Sequence, residues 1–412
     1  MTQPEARDRP SAPEPVVITG AGAVTPLGVG AELFYKRWCA GEVAIVDGVA
    51  RCADFEPAQF LSRRELRAMD RFSQLAAAAT DEALTQAGWT RGELPYPPHR
   101  IGCVIASAMG GVQTLFGQSD RYRINPRRIS PYTTAMVMPS AAAGMIALRW
   151  GLRGESCAVC AACASGTYAL GAGMRMLAGS TVDAVVVGGA DAAVSDEMVC
   201  AFSIMGALSR CGVARPFDRR RDGFVLGEGA GAVLLERASA ARRRGAAILG
   251  EVAGFGASTD AFDMYAPDPT GEPAADAIRS ALSGAGVQPS ELSYVNCHGT
   301  GSRHNDVAET RALKSALGEH AWRIPASSTK SSIGHLMGGA GTVEAIAVLH
   351  ALRDGVAPPT LGLEEPDEEL DLNYVPGVPQ PMPTPPPGGR RVGVSNSFGL
   401  GGSNAVVVLR VA

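Results

Sequence analysis

Two hydrophobic patterns alternate along this chain. Short continuous apolar runs predict buried strands, and longer stretches with apolar residues on one face predict the helices between them. A first strand begins at Pro15 and enters a Gly-rich turn, and further strands are predicted at 101–107, 184–194, 229–237, 248–258, 292–297 and 405–411. Helices are predicted at 64–88, 167–178, 273–286, 305–318 and 340–354. Because apolar strands alternate with helices, the pattern indicates an α/β protein whose sheets are covered on both faces.

The order of these elements predicts two successive halves. Residues 1–14 are polar and Pro-rich, so we expect a disordered tail. After residue 258 the series of strands and helices starts again, which divides the rest of the chain into 15–258 and 259–412. The Pro-rich stretch 376–390 precedes another apolar run, so we interpret it as a surface loop of the second half.

Composition narrows the class of protein. The net charge of −4 gives no global attraction to nucleic acid or to a membrane surface. No stretch reaches the roughly 18 consecutive apolar residues of a membrane span. The nine cysteines form an odd count and no secretory signal precedes them, so we expect a cytoplasmic protein with reduced thiols.

The segment CAACASGT, residues 160–167, places Cys163 between an extended stretch and a predicted helix. At a helix N-terminus the free N–H groups and the helix dipole favour a thiolate. Small neighbours on both sides leave room for a thioester to approach. The alternative at this point is a buried structural cysteine, which is the commoner fate of a single Cys.

The same segment allows a metal-site interpretation. Cys157, Cys160 and Cys163 have the spacing C-x-x-C-x-x-C, which is typical of iron–sulfur ligands. The fourth ligand of such runs is missing, and side chains three positions apart on a strand point to opposite faces. We therefore expect no metal.

Two histidines follow predicted strands. His298 comes directly after the strand 292–297, and His335 lies five residues after Lys330 and nine before Glu344. The carboxyl ends of strands are where α/β sheets place ligands. The alternatives are packed, hydrogen-bonded histidines, a solvated lysine and a glutamate on an exposed helix face.

Two Gly-rich segments allow different interpretations. The segment 396–404, NSFGLGGSN, can bring backbone N–H groups against a ligand, or it can be a tight turn between strands. Gly20-Ala21-Gly22 is similar to the start of a dinucleotide-binding fingerprint, but Thr25 replaces the third Gly and no acidic residue ends a second strand at the required distance. We interpret it as a structural turn.

One cysteine and two histidines at strand ends fit acyl transfer combined with carbanion formation. A Cys can hold an acyl chain as a thioester, and two neutral imidazoles can stabilise the enolate that forms when a malonyl thioester loses CO₂. Metal-dependent hydrolysis fits less well, because no pair of candidate ligands has the helical spacing of an H-E-x-x-H motif.

Together, CAACASGT, VNCHGTG, TKSSIGH and NSFGLGGSN resemble the elongating β-ketoacyl-ACP synthases (ketosynthases) of the thiolase superfamily, the branch shared by fatty acid and type II polyketide synthesis. The resemblance covers nearly the whole chain from residue 14, including VVITGAGAVTPLG, MDRFSQLAAAA and RPFDRRRDGFVLGEGAG. It implies a five-layer αβαβα thiolase fold from two related halves. It also implies decarboxylative condensation with malonyl-ACP, with substrates carried on the 4'-phosphopantetheine arm of the acyl carrier protein and no cofactor.

The resemblance also assigns roles to residues. It implies that Cys163 accepts the acyl chain and that His298 and His335 promote decarboxylation. The backbone N–H groups of Cys163 and Phe398 would form an oxyanion hole, and the Phe398 ring would act as a gate. The remaining implied positions are supporting charges at Lys330 and Glu344, hydroxyls that hold the pantetheine arm at Thr300 and Ser302, pocket-lining residues at Met109 and Phe202, and gating loops at 260–271 and 399–402.

Carrier proteins of such systems are acidic, so a basic docking surface is expected despite the negative net charge. Candidates, which can equally form an ordinary solvated face, are Arg63, Arg64, Arg67, Arg127 and Arg128. A position that is often basic in the family is Gly206 here. Other departures are Ala161 for Thr, Ser140 for Asn, Asp263 for His in the first gating loop, and Leu400 for a second Phe beside the gate. They bear on pocket shape and gating, and they favour a specialised polyketide or polyene pathway over primary fatty acid synthesis.

Two other functions stay open. A non-catalytic partner subunit that sets chain length typically lacks the nucleophile, whereas Cys163 is present. An acyltransferase with an alcohol or amine acceptor would keep the cysteine without decarboxylation. Family members are dimers, so we expect either a homodimer or a heterodimer with a ketosynthase-like chain length factor.

Overall fold

The structure, a computed structural model, describes residues 14–385 and 388–411. Its strands are β1 (Val16–Thr25), β2 (Gly28–Val29), β3 (Val49–Ala50), β4 (Ile101–Ala106), β5 (Ser156–Cys157), β6 (Ala184–Asp191), β7 (Leu226–Gly227), β8 (Gly229–Arg237), β9 (Gly250–Thr259), β10 (Leu292–Asn296), β11 (Ala326–Ser327), β12 (Val356–Ala357), β13 (Gln380–Pro381), β14 (Val392–Gly399) and β15 (Ser403–Arg410).

Thirteen α-helices connect these strands within the described residues. They are α1 (Ala31–Cys39), α2 (Arg63–Ala68), α3 (Arg71–Gln86), α4 (Val112–Ile124), α5 (Thr133–Val137), α6 (Ala141–Trp150), α7 (Ser165–Ala178), α8 (Asp196–Ile204), α9 (Ala238–Arg243), α10 (Glu272–Ala285), α11 (Arg303–Leu317), α12 (Lys330–Ile333) and α13 (Ala340–Asp354). Short 3-10 helices lie at Pro57–Gln59, Pro98–Arg100, Pro126–Arg128, Pro289–Glu291, Gly318–Trp322 and Met337–Gly339. No helix in the described ranges combines the length and apolar character needed to cross a membrane.

One pattern of strand pairing occurs twice in the sheet. The order is β11-β10-β14-β15-β9-β1-β8-β6-β4-β5, with β2 paired to β1. On one side, β4 has the parallel neighbours β5 and β6, followed by antiparallel β8 and β1. On the other side, β10 has the parallel neighbours β11 and β14, followed by antiparallel β15 and β9. The repeat, joined where β1 pairs with β9, is the pair of related halves that the resemblance implies.

Alternating side chains of each sheet half face two different helix layers. Val185 and Val187 of β6 share a core with residues of α7 and α13, whereas Val186 packs with α3 and α6 on the other face. In the second half, Val407 of β15 faces the same central core, whereas Val408 packs with α10 and α11. Because strand side chains alternate, each half is buried on both faces. The layers are therefore α3 and α6, sheet, α7 and α13, sheet, α10 and α11, which confirms the five-layer αβαβα thiolase fold.

The helix predicted at 64–88 is two helices. α2 ends at Ala68 because Met69 and Asp70 are both extended, and the Asp70 carboxylate accepts the N–H of Phe72 at 3.1 Å to cap α3. Asp is common at the N-cap position because its side-chain oxygen accepts a free backbone N–H of the first helical turn. The Pro-rich stretch 376–390 is also not entirely loop, since β13 within it pairs with β12.

Gly20 and Gly22 do not form the predicted turn. Both lie inside β1, where α3 crosses so closely that a Cβ on Gly20 would come 2.0 Å from the carbonyl oxygen of Ala83. On Gly22 it would come 2.1 Å from that of Ala79. The glycines therefore allow a helix to approach a strand, and they bind no dinucleotide phosphate in this arrangement.

The predicted division after residue 258 keeps β9 with the first half of the chain. In the structure β9 pairs with β15 over eight positions and with β1 over three. β9 therefore pairs mainly with a strand of the second half. The division of the chain into 15–258 and 259–412 stays a prediction. The predicted tail 1–14 lies, apart from Glu14, outside the described residues.

Candidate active site

Cys163 lies in a sharp turn directly before α7. The preceding Ala162 has a positive φ of 47°, and the Ser165 hydroxyl accepts the N–H of Ala161 at 2.8 Å. Gly399 packs on this turn so closely that a Cβ there would lie 2.9 Å from the Ala161 carbonyl oxygen. The turn, the α7 N-terminus and the β14–β15 hairpin therefore fix the position of the thiol together.

Burial dominates the electrostatics of the Cys163 thiol. It raises the pKa to about 11, although the backbone N–H of Leu400 and the charge of Lys330 act in the opposite direction. Desolvation therefore outweighs the groups that favour a thiolate, and the protonated thiol is the stable form at neutral pH. Deprotonation has to accompany the arrival of a substrate that changes these surroundings.

His298 and His335 face each other in the same interior. Their ring centroids are 5.3 Å apart, and their exposed fractions are 2% and 1%. Burial and then the charge of Lys330 lower both pKa values well below the ordinary value, so both rings are neutral. The Nδ1 of His335 accepts the N–H of Met337 at 3.3 Å, which places its proton on Nε2.

One ring nitrogen of each histidine has no hydrogen-bond partner in the described chain. Neither Nε2 of His335 nor Nδ1 of His298 has a hydrogen-bond partner in the described chain, although both atoms are buried. Buried polar atoms normally find partners because leaving them unpaired costs about 1–3 kcal/mol. Each imidazole therefore keeps one hydrogen-bonding atom that the described chain does not use.

Lys330 and Glu344 form a buried ion pair beside the histidines. The Lys330 ammonium contacts Glu344 Oε1, and the Thr329 hydroxyl donates to the same oxygen at 3.1 Å. Both charged side chains are 1% exposed. The alternatives of a solvated lysine and an exposed glutamate are wrong, because α12 and α13 enclose both residues.

A cavity of about 340 Å³ joins the three candidate catalytic residues. The predicted residues that line it are Cys163, His298, His335, Phe398, Thr300, Ser302, Phe202 and Leu400. The Phe398 ring lies 5.8 Å from that of His298 and is 9% exposed. The structure therefore brings the four separate sequence segments to one site.

Met109, predicted in the pocket, and Asp263, predicted in the first gating loop, do not line the cavity. Met109 packs, partly buried, against the apolar cluster of Cys163 and Phe202 instead of lining the cavity. Asp263 points outward and holds its own loop, accepting the N–H groups of Tyr265 and Ala266 at 2.8 and 2.9 Å. The two gating segments contact each other, since the N–H of Gly401 donates to the carbonyl of Met264.

Sequence inspection missed the carboxylates that position the site. Glu309 accepts the N–H groups of His298 and Gly299 at 2.8 and 2.7 Å and also the amide of Asn396. Asp191 similarly accepts the N–H groups of Met109 and Gly338. The available signal was an acidic residue at the end of an apolar strand and another in the helix after the His298 loop.

The predicted docking arginines lie on the surface. Exposed positions on α2 and on the short helix Pro126–Arg128 hold Arg63, Arg64, Arg67, Arg127 and Arg128. Arg67 lines a second cavity of about 580 Å³ together with Arg121 and Tyr132. Among the described residues, no three metal-binding side chains are grouped together, and the expectation of no metal stays a prediction.

The chain is similar to one known protein family over most of its length. The family model of the beta-ketoacyl synthase N-terminal domain matches residues 47–241, and that of the C-terminal domain matches residues 249–364. A curated relative from Synechocystis sp., 3-oxoacyl-[acyl-carrier-protein] synthase 2, is 38% identical over 96% of this chain and 97% of its own length. Its namesake from Rhizobium meliloti is 39% identical over 96% and 98%.

Several solved structures of ketosynthases are similar to this chain over nearly its whole length. The ishigamide ketosynthase/chain length factor and a beta-ketoacyl synthase from Burkholderia phymatum each have a TM-score of 0.88 and 31% identity, covering 97% of this chain and 100% of the other. A type II PKS ketosynthase in complex with its acyl-carrier protein has the same TM-score at 27% identity. The chain therefore belongs to the beta-ketoacyl synthase family.

Proposed function

We propose that Cys163, His298 and His335 catalyse the decarboxylative condensation of an enzyme-bound acyl thioester with malonyl-ACP. The observation that carries this proposal is the single cavity that holds a buried thiol beside two neutral imidazoles with unpartnered nitrogen atoms. A thiol can hold the acyl group, and neutral N–H donors can stabilise an enolate without protonating it prematurely.

In the first half-reaction, the Cys163 sulfur attacks the acyl thioester. A new C–S bond forms to Cys163, the bond to the carrier sulfur breaks, and the thiol proton ends on the departing carrier thiol. Burial raises the pKa of the Cys163 thiol, whereas the nearby backbone N–H of Leu400 lowers it, so this N–H can stabilise negative charge as it develops on the sulfur. The implied oxyanion hole of the Cys163 and Phe398 N–H groups is part of this proposal.

In the second half-reaction, a malonyl thioester loses CO₂ and its carbon attacks the acyl-Cys163 carbonyl. The Nε2–H of His335 donates to the thioester oxygen, where the enolate charge develops, and His298 shares this role. Collapse of the tetrahedral adduct breaks the C–S bond to Cys163 and releases the thiolate, which takes one proton from solvent. The 3-ketoacyl thioester leaves on the carrier.

Lys330 and Glu344 support this chemistry without touching the substrate in the proposal. Burial lowers the pKa values of both histidines, and the Lys330 charge lowers them further, so the rings stay neutral. Glu344 compensates the lysine charge, which would otherwise be buried alone. No cofactor is needed in this scheme, because the phosphopantetheine arm belongs to the carrier protein.

The carrier protein is proposed to bind the arginine-bearing surface of α2 and residues 126–128. An acidic partner is favoured by the exposed guanidinium groups, and the cavity beside Arg67 and Arg121 offers apolar surface from Tyr132 and Met136. A carrier bound there fits a cytoplasmic enzyme of a fatty acid or type II polyketide pathway, with the polyketide pathway favoured by Leu400 and Asp263.

A second ketosynthase-like chain is proposed to cover the edge of the sheet at β5. This strand ends the sheet order, so one of its sides is unpaired within the described chain. Exposed apolar side chains on the nearby segments 115–148 are Leu115, Tyr122, Ile124, Ile129, Tyr132, Met138 and Leu148. Native mass spectrometry of the complex formed with and without candidate partner chains separates a homodimer from a heterodimer with a chain length factor.

The proposal is tested with acyl-ACP and malonyl-ACP. We expect CO₂ release, a 3-ketoacyl-ACP product, and an acyl mass on the intact protein that Cys163→Ala removes. A protein that gains no acyl mass from any chain length would be the non-catalytic partner subunit. A protein that gains the mass but never releases CO₂ would be the non-decarboxylating acyltransferase.

A further inference from the structure

The buried carboxylate of Asp191 joins two loops of the active site through four hydrogen bonds. It lies at the end of β6, with an exposed fraction of 0%. Its Oδ1 accepts the Ser107 hydroxyl at 2.7 Å and the Met109 N–H at 3.0 Å. Its Oδ2 accepts the Ala108 N–H at 2.9 Å and the Gly338 N–H at 2.7 Å. One oxygen atom, Oδ2, is therefore bonded to both loops at once.

The first of these loops, the acyl loop (107–110), contacts the surroundings of the nucleophile. Met109 packs, partly buried, against the apolar cluster that contains Cys163 and Phe202. Because packed protein interiors leave few voids larger than a water molecule, a long chain attached to Cys163 displaces Met109 as it fills this region. The displacement acts on the acyl loop, whose backbone N–H groups are held by the Asp191 carboxylate.

The second loop, the histidine loop (335–339), holds the ring of His335. The Met337 N–H donates to His335 Nδ1 at 3.3 Å, which is longer than the roughly 2.9–3.0 Å of a typical N–H donor. Met337 also has a positive φ of 51°, which is unfavourable for a residue with a side chain. A Cβ on Gly338 would lie 2.7 Å from Asp191 Oδ2. The histidine loop is therefore in direct contact with the carboxylate, and its hold on the ring is weak in this arrangement.

We propose that Asp191 is a positioning residue that transmits the displacement of Met109 to His335, so that an acyl chain in the pocket speeds malonyl decarboxylation. The inference rests on the proposed function, in which His335 donates a hydrogen bond to the developing enolate. Hydrogen bonds to a carboxylate are roughly twice as strong as those between neutral groups, so the carboxylate and its donors move together. A shift of the acyl loop then moves Gly338, and the bond from Met337 to the ring shortens.

This coupling would order the two half-reactions. A firmer donor at Nδ1 of His335 fixes the proton on Nε2 and its direction toward the thioester oxygen. The malonyl group is then consumed mainly when Cys163 already carries a chain.

The test fills the pocket with inert chains of two lengths. Iodoacetamide and N-hexyl iodoacetamide both alkylate Cys163, but only the second places an alkyl chain in the pocket, and neither adduct can undergo condensation. Intact mass reports the adduct, and CO₂ release from malonyl-ACP is measured for each. The hexyl adduct of the wild type should release CO₂ about tenfold faster than the short adduct, a typical size for coupling between two sites.

Two variants should abolish this ratio. Asp191→Asn keeps the size of the side chain but sets an amide NH₂ against backbone N–H donors. Gly338→Ala breaks the same link from the other side, because its Cβ displaces Asp191 Oδ2. A structural role alone would lower the rates of both adducts and leave their ratio unchanged.

Two further variants are controls. Ser107→Ala removes one donor to Asp191 Oδ1 but leaves Oδ2 bonded to both loops, so it should keep the wild-type ratio. Cys163→Ala, treated with the same two reagents, should show equal rates, which excludes an effect of alkylation at the exposed cysteines.

Two outcomes would overturn the inference alone. Equal CO₂ release from the two wild-type adducts would mean that a filled pocket does not act on His335. A ratio that persists in folded Asp191→Asn or Gly338→Ala would mean that the coupling does not pass through this carboxylate. In both cases CO₂ is still released. No CO₂ release from any wild-type form, free or alkylated, would instead overturn the proposed function and the inference with it.

Discussion

The rings of His298 and His335 stand nearly perpendicular, with their centroids 5.3 Å apart and an angle of 81° between the planes. Phe398 contacts the first ring from another side, and Phe224 contacts the second. The aromatic surroundings exclude water, which keeps both imidazoles neutral at physiological pH. The two neutral imidazoles can therefore donate and accept hydrogen bonds, and neither carries a positive charge.

Loss of either histidine should separate the two half-reactions. His298→Ala and His335→Ala should each lower CO₂ release from malonyl-ACP by about 10²- to 10³-fold, the usual effect of removing one donor to a developing oxyanion. Acylation of Cys163 should persist, because the thiol remains in its turn before α7. Intact mass reports acylation and CO₂ release reports decarboxylation. Loss of both activities in a folded variant would contradict the assigned roles.

Removal of the Lys330 charge should change both stability and pH dependence. Lys330→Met leaves the Glu344 carboxylate buried without its counterion, which typically costs about 3–5 kcal/mol. The double variant Lys330→Met/Glu344→Gln should regain much of that stability, as measured by urea unfolding.

Removal of the Lys330 charge should also shift the acid limb of the pH profile of the decarboxylation rate. Burial lowers the pKa of both histidines and Lys330 adds to this effect, so removal of the lysine charge raises those pKa values by the Lys330 contribution alone. The neutral rings are the active form, and the limb should therefore shift to higher pH in both Lys330 variants. An unchanged limb would show that Lys330 acts only on stability.

The strands and the candidate catalytic residues could be predicted from the sequence. The contacts between segments that lie far apart in the chain could not. Apolar runs located β6, β8 and β10 because each is buried on both faces and has a distinct composition. The break before α3 depends on Asp70 capping a helix within a continuous helical pattern, and the close approach of α3 explains Gly20. Those features depend on where a distant helix lies. The same holds for Glu309 and Asp191, whose partners come from other segments of the chain.

Glu309 should give the free energy of unfolding a recognisable pH dependence. Burial raises its pKa to about 7, from an ordinary value of 4.5. The folded state therefore retains a proton that the unfolded state has lost, so this contribution to stability is full below pH 4.5 and disappears as the pH rises through 7.

Glu309→Gln removes this titration while it keeps one acceptor for the N–H of His298 or Gly299. The stability advantage of the wild type over the variant should therefore shrink between these pH values. Urea unfolding of both proteins from pH 5 to pH 8, on the order of half-unit steps, measures the difference. A constant difference would mean that Glu309 does not titrate in this range.

Gly399 should be required for the position of the nucleophile. A Cβ at this residue would lie 2.9 Å from the Ala161 carbonyl oxygen and 3.2 Å from the Cys163 nitrogen. Gly399→Ala should therefore displace the turn and slow acylation, followed by intact mass. Gly284→Ala is the control: no heavy atom lies within 4 Å of its added Cβ on α10, and it should stabilise the fold by about 0.5–1 kcal/mol. Equal acylation rates in both variants would contradict this assignment.

Met109 should set the length of the acyl chain from behind the cavity wall. Its side chain packs on the cluster that contains Cys163 and Phe202, so shortening it extends the cavity past the acylated sulfur. Met109→Ala should shift acylation toward longer acyl-ACP substrates, with selectivity changing by about fourfold per buried methylene. Met109→Trp should shift it toward shorter chains. The measurement is the competitive acylation of Cys163 from an equimolar mixture of acyl-ACPs, and a common order of chain preference in all three proteins would show that another part of the cavity limits the chain.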